Sequence, residues 1–393
     1  MSYLNFDKTL LINLERSLSK EMIRTNRAGA YNSTTLIDCN TRKYHGQLVL
    51  PLGDPLPEGN YVLLGSLDET VIQHGAEFNL GIHQYGENLY MPNGHKYIRE
   101  FDCEVISKTT YRVGGVILTK ERMLVSFEPR VLIRYTLVEA HSPTTLRLKP
   151  FLAYRNTNEL TQENDNACSD MREVVNGRVA RMYESFPELY MQCSKKVEYT
   201  HAPAWYKGIE YMKEQERGFS YKEDQLVPGW FEMPMKKGES VIFAAGISEV
   251  NPKTLKALWE KELKRRSARD TMFGCLKNAA SQFYKREGDK CYLLAGYPWF
   301  KASAREEFMA MPDERKETML TEQNRRITRQ TIAAYTQKLI THNLITTNHY
   351  NFIYYFAFKE KQRIVERREY SQAWKEYWLN REAGADSYEA ISI

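Results

Sequence analysis

The sequence predicts a mainly β protein: an antiparallel β-sandwich over residues 1–250, a helical linker over 251–290 and a further α-helical region over 291–393. Three observations carry this. Strand-like segments recur between turn residues through the first 250 positions, with no helical runs between them. Apolar spacing changes from two to about 3.6 at Asn251-Pro252. Beyond Pro312, segments 317–340 and 354–379 are charge-rich with aromatic or aliphatic stripes.

The strand candidates follow in chain order at 48–50, 61–64, 97–106, 111–119, 131–138, 189–192 and 241–247. In the run ending at Tyr154, Leu146 and Leu148 alternate with Arg147 and Lys149, the period of a half-buried strand. Segment 131–138 is more continuously apolar, as a strand buried on both faces would be. Breakers separate the candidates at 51–59, 91–95 and 236–239, and Gly114-Gly115 reads as a turn or bulge. Asn251 is a good N-cap and Pro252 suits a first helical turn. Leu255, Leu258, Trp259 and Leu263 then recur at helical spacing, as do Met272, Leu276, Ala279, Ala280 and Phe283. The charge run between them, 261–270, reads most simply as a solvated face.

Composition bounds function. Hydrophobic residues make up 42% of the 393, enough for a globular chain with two or three domains. The 26 Tyr and 6 Trp supply ring faces that stack on sugars, on bases or on each other. A formal charge of +5 with interspersed acidic residues argues against a nucleic-acid binder, and Arg325, Arg326 and Arg329 make only a local basic cluster. Six cysteines show no C-x-x-C pair. The start has no signal-peptide core, and no apolar run approaches a membrane span, so reduced thiols and a cytoplasmic location are expected. No H-x-x-x-H, H-E-x-x-H, G-x-S-x-G, phosphate loop or G-x-G-x-x-G occurs, so no metal and no cofactor is expected.

Three segments concentrate unusual residues. In 21–46, Asn26, Asn32, Asn40, Arg42, Tyr44 and His45 lie close together, suited either to sugar hydroxyls or to buried turns. In 205–229, Trp205, Tyr206, Tyr211, Phe219 and Tyr221 alternate with Glu210, Glu214, Glu216, Glu223 and Asp224. Ring faces beside carboxylates are what sugar rings bind, and an exposed helix with Glu/Lys pairs is the plainer reading. In 293–311, Gly296-Tyr297-Pro298-Trp299-Phe300 forms a rigid aromatic turn followed by Arg305, Glu306 and Glu307.

Together these segments resemble the archaeal and bacterial glycogen-debranching (amylo-α-1,6-glucosidase) family. The resemblance runs through Thr25-Asn26, Gly29, Tyr31, Ser33-Thr34 and Asn40-Thr41-Arg42-Lys43-Tyr44-His45-Gly46. It continues through the L-A-Y-R element ending at Arg155, the W-Y-x-x-x-E-Y-x-x-E-x-x-R-G block from Trp205, and the A-G-Y-P-W-F motif. It covers about residues 20 to 312, in order.

The resemblance implies a β-sandwich, a helical linker and then an (α/α)6 barrel. It implies hydrolysis of the α-1,6-linked glucose at a trimmed branch of glycogen. It also implies an inverting mechanism, with one carboxylic acid protonating the leaving oxygen and one carboxylate activating water. The family's Arg-Asp step reads Arg305-Glu306 here, and in related glucosidases that step grips the terminal sugar, so sugar binding is expected of Glu306 before proton transfer. After Pro312 the family pattern stops, and the remaining 81 residues hold too few helices for a barrel of twelve at about 11–12 residues each. A truncated barrel start is therefore expected. The expected glucan contacts are Arg42, Tyr44, His45, Trp205, Tyr206, Glu210, Trp299 and Arg305, with Glu306 as the candidate catalytic position. Each has a structural alternative: Arg42 paired with a carboxylate, for instance, or Trp205 in the core. The expected partner is glycogen or a branched α-glucan, without nucleic acid or membrane, and a complementary catalytic chain or a homo-oligomer stays open. The second reading is a non-catalytic glycan-binding or partner module.

Overall fold

A computed structural model describes residues 3–287 and 290–302. The chain divides into two compact units, Met1–Gln282 and Phe283–Ile393.

The first unit is built on two antiparallel sheets. The nine-stranded sheet runs, edge to edge, Asn5–Asp7, Ile98–Asp102, Ser107–Val113, Val116–Leu124, Arg130–Glu139, Ser240–Gly246, Leu189–Cys193, Gly177–Ala180 and Met171–Val174. The eight-stranded sheet runs Glu198–Glu210, Lys222–Met235, Thr144–Asn156, Gly59–Gln73, Gly46–Leu52, Tyr31–Thr35 and Glu21–Thr25, with Ala76–Asn79 paired to Gly59–Gln73. One core lies between them: Ile133, Tyr135, Leu137 and Phe243 from the first sheet meet Leu48, Leu64, Leu148 and Phe231 from the second. The Phe231 and Phe243 rings sit 6.1 Å apart across it.

The expected double burial of 131–138 has a simple cause. Val131 and Ile133 face the sandwich, whereas Leu132 faces a second cluster made by the helix Leu255–Lys264 through Leu255 and Trp259. Asn251 caps the turn Pro252–Thr254 as expected, accepting from the Lys253 N–H at 3.1 Å.

Between the sheets runs a buried ionic seam. Lys120 Nζ lies 2.8 Å from Asp38 and 2.7 Å from Glu69, and Arg122 donates to Asp38 at 2.9 Å and to Gln47 at 2.8 Å. Tyr135 donates to Glu69 from the opposing sheet. Buried ions are tolerated only when paired, and here the partners come from both sheets and the 36–45 loop. Burial would raise the Asp38 carboxyl, but Arg122 and Lys120 outweigh it and hold it at about 2.

Three expectations need correction. The helical reading does not hold beyond Ser281, because Tyr284–Glu287, Lys290–Gly296 and Phe300–Ala302 are strands rather than part of a linker helix or an α-helical start. The charge run 261–270 is not simply solvated: Glu262 and Arg269 are 1% and 4% exposed. Segment 205–229 is not an exposed helix but two paired strands, Glu198–Glu210 and Lys222–Met235, joined through the short helix Met212–Glu216. Buried polar residues Glu223 and Gln225 interrupt the alternation that would have marked the second strand.

The second helix, Met272–Ser281, is capped by Thr271 and leaves Met272, Phe273 and Leu276 at 60%, 75% and 58% exposure. In the second unit, Tyr284–Glu287, Lys290–Gly296 and Phe300–Ala302 form a three-stranded antiparallel sheet. Its Tyr297–Trp299 connection is the expected aromatic turn. The expected helices at 317–340 and 354–379, and the barrel start, lie outside the described residues. No described helix is long and apolar enough to cross a membrane. Cys39, Cys103, Cys168, Cys193 and Cys275 are free thiols.

Candidate functional site

Three connections meet at one corner of the eight-stranded sheet. They are the loop 36–45, the loop 157–161 that follows Thr144–Asn156, and the helix and turn 211–221. The hub beneath them is Glu223, with no exposed surface. Its carboxylate accepts from Arg155 Nε, from Arg155 NH2 at 3.1 Å, from the Thr161 N–H at 3.1 Å, from Gln225 at 2.8 Å and from the Tyr211 hydroxyl. Arg155 in turn donates to the Lys43 carbonyl at 2.9 Å, so one ion pair ties all three loops. Burial opposes the charge on Arg155, but the Glu223 carboxylate overcomes it and raises the guanidinium above its ordinary value. The local backbone makes this placement. Pairing with Gly59–Gln73 slips between Leu152 and Arg155, and Tyr154 takes φ 46°, a conformation bulky residues rarely adopt.

Above the hub, His45 is buried and its Nδ1 accepts from the Thr41 N–H at 3.1 Å, which puts the proton on Nε2. Burial lowers its pKa despite Glu21 at 3.7 Å, so the ring is neutral at pH 7. Arg42 Nε donates to Glu21 at 2.8 Å. Glu214 is wholly buried with the Arg217 guanidinium at 3.6 Å, and the Lys213 N–H donates to the Thr41 carbonyl at 3.0 Å.

The outer layer is aromatic and cationic. Lys43 Nζ stands 5.6 Å from the Tyr44 ring centre and 5.4 Å from that of Phe219. The Arg217 guanidinium lies 4.9 Å from the same Phe219 ring centre. Tyr44 donates to Asn158 Oδ1 at 3.2 Å, and Phe219 is 50% exposed.

The expected contact residues are thus divided. Arg42, Tyr44 and His45 share this corner. Trp205 and Tyr206 lie further along the edge strand Glu198–Glu210. Trp205 packs on the main core, and Tyr206 meets Phe151 edge-on at 4.8 Å between ring centres and accepts from Lys149 at 2.8 Å. Glu210 is buried and paired with Lys222 at 3.0 Å. Trp299 is 49% exposed in the second unit, and Arg305 and Glu306 lie outside the described residues. The asparagines of the first segment make turns and strand links: Asn26 accepts from Ala28 and Ala30, Asn32 donates to Gly46 and Gln47, and Asn40 donates to Gly65.

Sequence reasoning does not single out the Glu223 hub, Lys43 or Asn158 as contacts. Arg155 and Tyr211 stand inside the family-like motifs, a signal for the hub, whereas nothing marks Asn158. Among the described residues, no three His, Cys, Asp or Glu side chains group to hold a metal.

A family model described as glycogen debranching enzyme N terminal matches residues 20–242. Similar solved structures include a bacterial glucoamylase in complex with acarbose, at 8% identity and TM-score 0.31, covering 62% of this chain and 36% of that one. Another is a heparan sulfate lyase from Pedobacter heparinus, at 12% identity and TM-score 0.28, covering 57% of this chain and 36% of that one. The chain therefore spans little more than a third of the length of either structure. No curated protein matches. With more than half of its residues covered by that family model, the chain belongs to the glycogen debranching enzyme N-terminal family.

Proposed function

We propose that the chain supplies the glucan-positioning domain of a debranching glycoside hydrolase, and that the corner around Tyr44 and Phe219 holds a branched α-glucan. The observation that carries this is the convergence on Glu223 of three motifs far apart in sequence, beneath the half-buried Tyr44 ring and the exposed Phe219 ring. Sugar rings offer C–H bonds to a π-face and hydroxyls to charged or amide groups, and Lys43, Arg217 and Asn158 stand beside the rings. Arg42 and His45 brace the loop that carries Tyr44. Trp205 and Tyr206, on the edge strand of the same unit, extend the contact, with Glu210, buried against Lys222, supporting that strand. In the second unit, taken by itself, Trp299 and Arg305 contact sugar and Glu306 grips the terminal glucose.

Cleavage of the α-1,6 linkage then belongs to an (α/α)6 barrel beginning at 291–393, joined to the 1–250 sandwich through 251–290. Five free thiols among the described residues suit a reducing, cytoplasmic setting.

A non-catalytic glycan-binding module is the second reading. It is favoured by the state of the corner's carboxylates: Glu21 and Glu223 are both committed to arginines, an arrangement that holds loops rather than moves protons. An assay on branched limit dextrin separates the two. Glucose release by the purified chain, lost in Glu306→Gln, supports the enzyme reading. Glycogen binding without release supports the module, and neither binding nor release refutes both.

A further inference from the structure

Away from that corner, the first unit holds a cleft of about 500 Å³ between the Glu21–Thr25 and Val116–Leu124 strands and the chain from Arg265 to Gln282. Arg24, Arg27, Arg265, Arg266, Arg269 and Lys277 line it, and no carboxylate does among the described residues. Arg265 and Arg266 share one carboxylate, Glu262, which offsets one of their two charges. The arginines that remain have other partners. Arg24 donates to the Ile23 carbonyl at 2.8 Å and to the Cys103 thiol at 3.0 Å. Arg27 donates to the Ser281 hydroxyl at 3.3 Å. Arg269, only 4% exposed, donates to the Val105 carbonyl at 2.8 Å and to the Asn278 amide oxygen at 2.6 Å. Every one of those acceptors is uncharged. Arg122, 6% exposed, also lines the cleft; its charge is paired with Asp38, and only its Nε has no hydrogen-bond partner among the described residues.

Burial of a cation is costly unless a counter-charge accompanies it. Here the buried Arg269 sits with the half-buried Arg24 and the exposed Arg27 in a concave site on neutral acceptors. Burial first, and then the neighbouring Arg24, lower the Arg269 pKa to about 10, so these charges repel one another. A guanidinium fork matches an oxyanion in shape and charge, and two or three forks around one cleft match a tetrahedral dianion best. The volume exceeds that of a phosphate ion and falls in the range of small-ligand pockets, and Asn26 and Ser281 add polar groups to the wall.

We propose that this cleft binds a phosphate group, either as the free ion or as the monoester of a sugar. The full chain would be titrated calorimetrically, and its thermal midpoint followed, with inorganic phosphate and separately with a hexose monophosphate. Unphosphorylated hexose and sodium chloride of matched ionic strength serve as controls. Saturable binding of either phosphate is expected, weakening as chloride rises and absent with hexose. Tighter binding of the monoester assigns the sugar phosphate, and equal binding assigns the free ion. Arg27→Gln and Lys277→Gln, both at exposed positions, should each weaken binding about ten-fold with the unliganded midpoint unchanged. Absence of saturable binding, an equal response to matched chloride, or full affinity in both variants would overturn the site.

Discussion

Replacing Glu223 by Gln keeps the size and shape of the hub and removes its charge. In the wild type the carboxylate meets five donors, two of them from Arg155, with no exposed surface. The side-chain amide introduced by Glu223→Gln would turn an N–H₂ toward N–H and O–H groups that already donate, and Arg155 would remain buried without a counter-charge. Breaking such a pair on one side costs about 3–5 kcal/mol. For a unit of this size, about 2–4 °C of midpoint accompanies each kcal/mol, so a fall of about 6–20 °C is expected. Loop 41–45 should exchange its amide hydrogens faster, because Lys43 loses the anchor that Arg155 provides. Glu210→Gln is the control: Lys222 is 58% exposed, so solvent screens this pair and its loss should leave the midpoint nearly unchanged. Differential scanning calorimetry reads both. A Glu223→Gln midpoint within about 2 °C of wild type would refute the hub.

Other outcomes follow from the same packing. Asp38 is held at about 2, below its ordinary 3.8, so its contribution of roughly 2–3 kcal/mol is complete above pH 4 and fades as pH falls toward 2. Asp38→Asn, tolerated at φ 61°, should flatten the acid-unfolding curve in that window, and an unchanged slope would count against the seam. Trp259→Ala removes the largest wholly buried side chain among the described residues and should cost about 3–5 kcal/mol in urea titration. Phe273→Ser, at a position 75% exposed, should change stability of the first unit by less than about 0.5 kcal/mol.

Much of the sandwich was legible because alternation and turn residues report it directly. Leu146 to Lys149 read as a strand, and Asn251 read as a cap, since each signal is local. The Glu198–Glu210 and Lys222–Met235 pair was not legible. Its charged edge and its buried Glu223 and Gln225 look like a polar surface until Arg155, 68 residues away, is known to face them. The burial of Arg269 was hidden likewise, because its partners come from distant places, Val105 in the connection before Ser107–Val113 and Asn278 in the helix Met272–Ser281. At the candidate site, motif residues marked the right neighbourhood through Arg42, Tyr44 and His45. Which of them faces outward is a tertiary property: His45 turns inward to Thr41, while Tyr44 reaches Asn158 at the rim.

The central claim is that the Tyr44 and Phe219 rings hold a glucan. Its most direct test is the affinity of the purified chain for branched limit dextrin, measured by calorimetry beside Tyr44→Ala and Phe219→Ala. Each substitution should weaken binding about ten-fold while the thermal midpoint stays at the wild-type value. Wild-type affinity in both variants, or no dextrin binding by the wild-type chain, would contradict it.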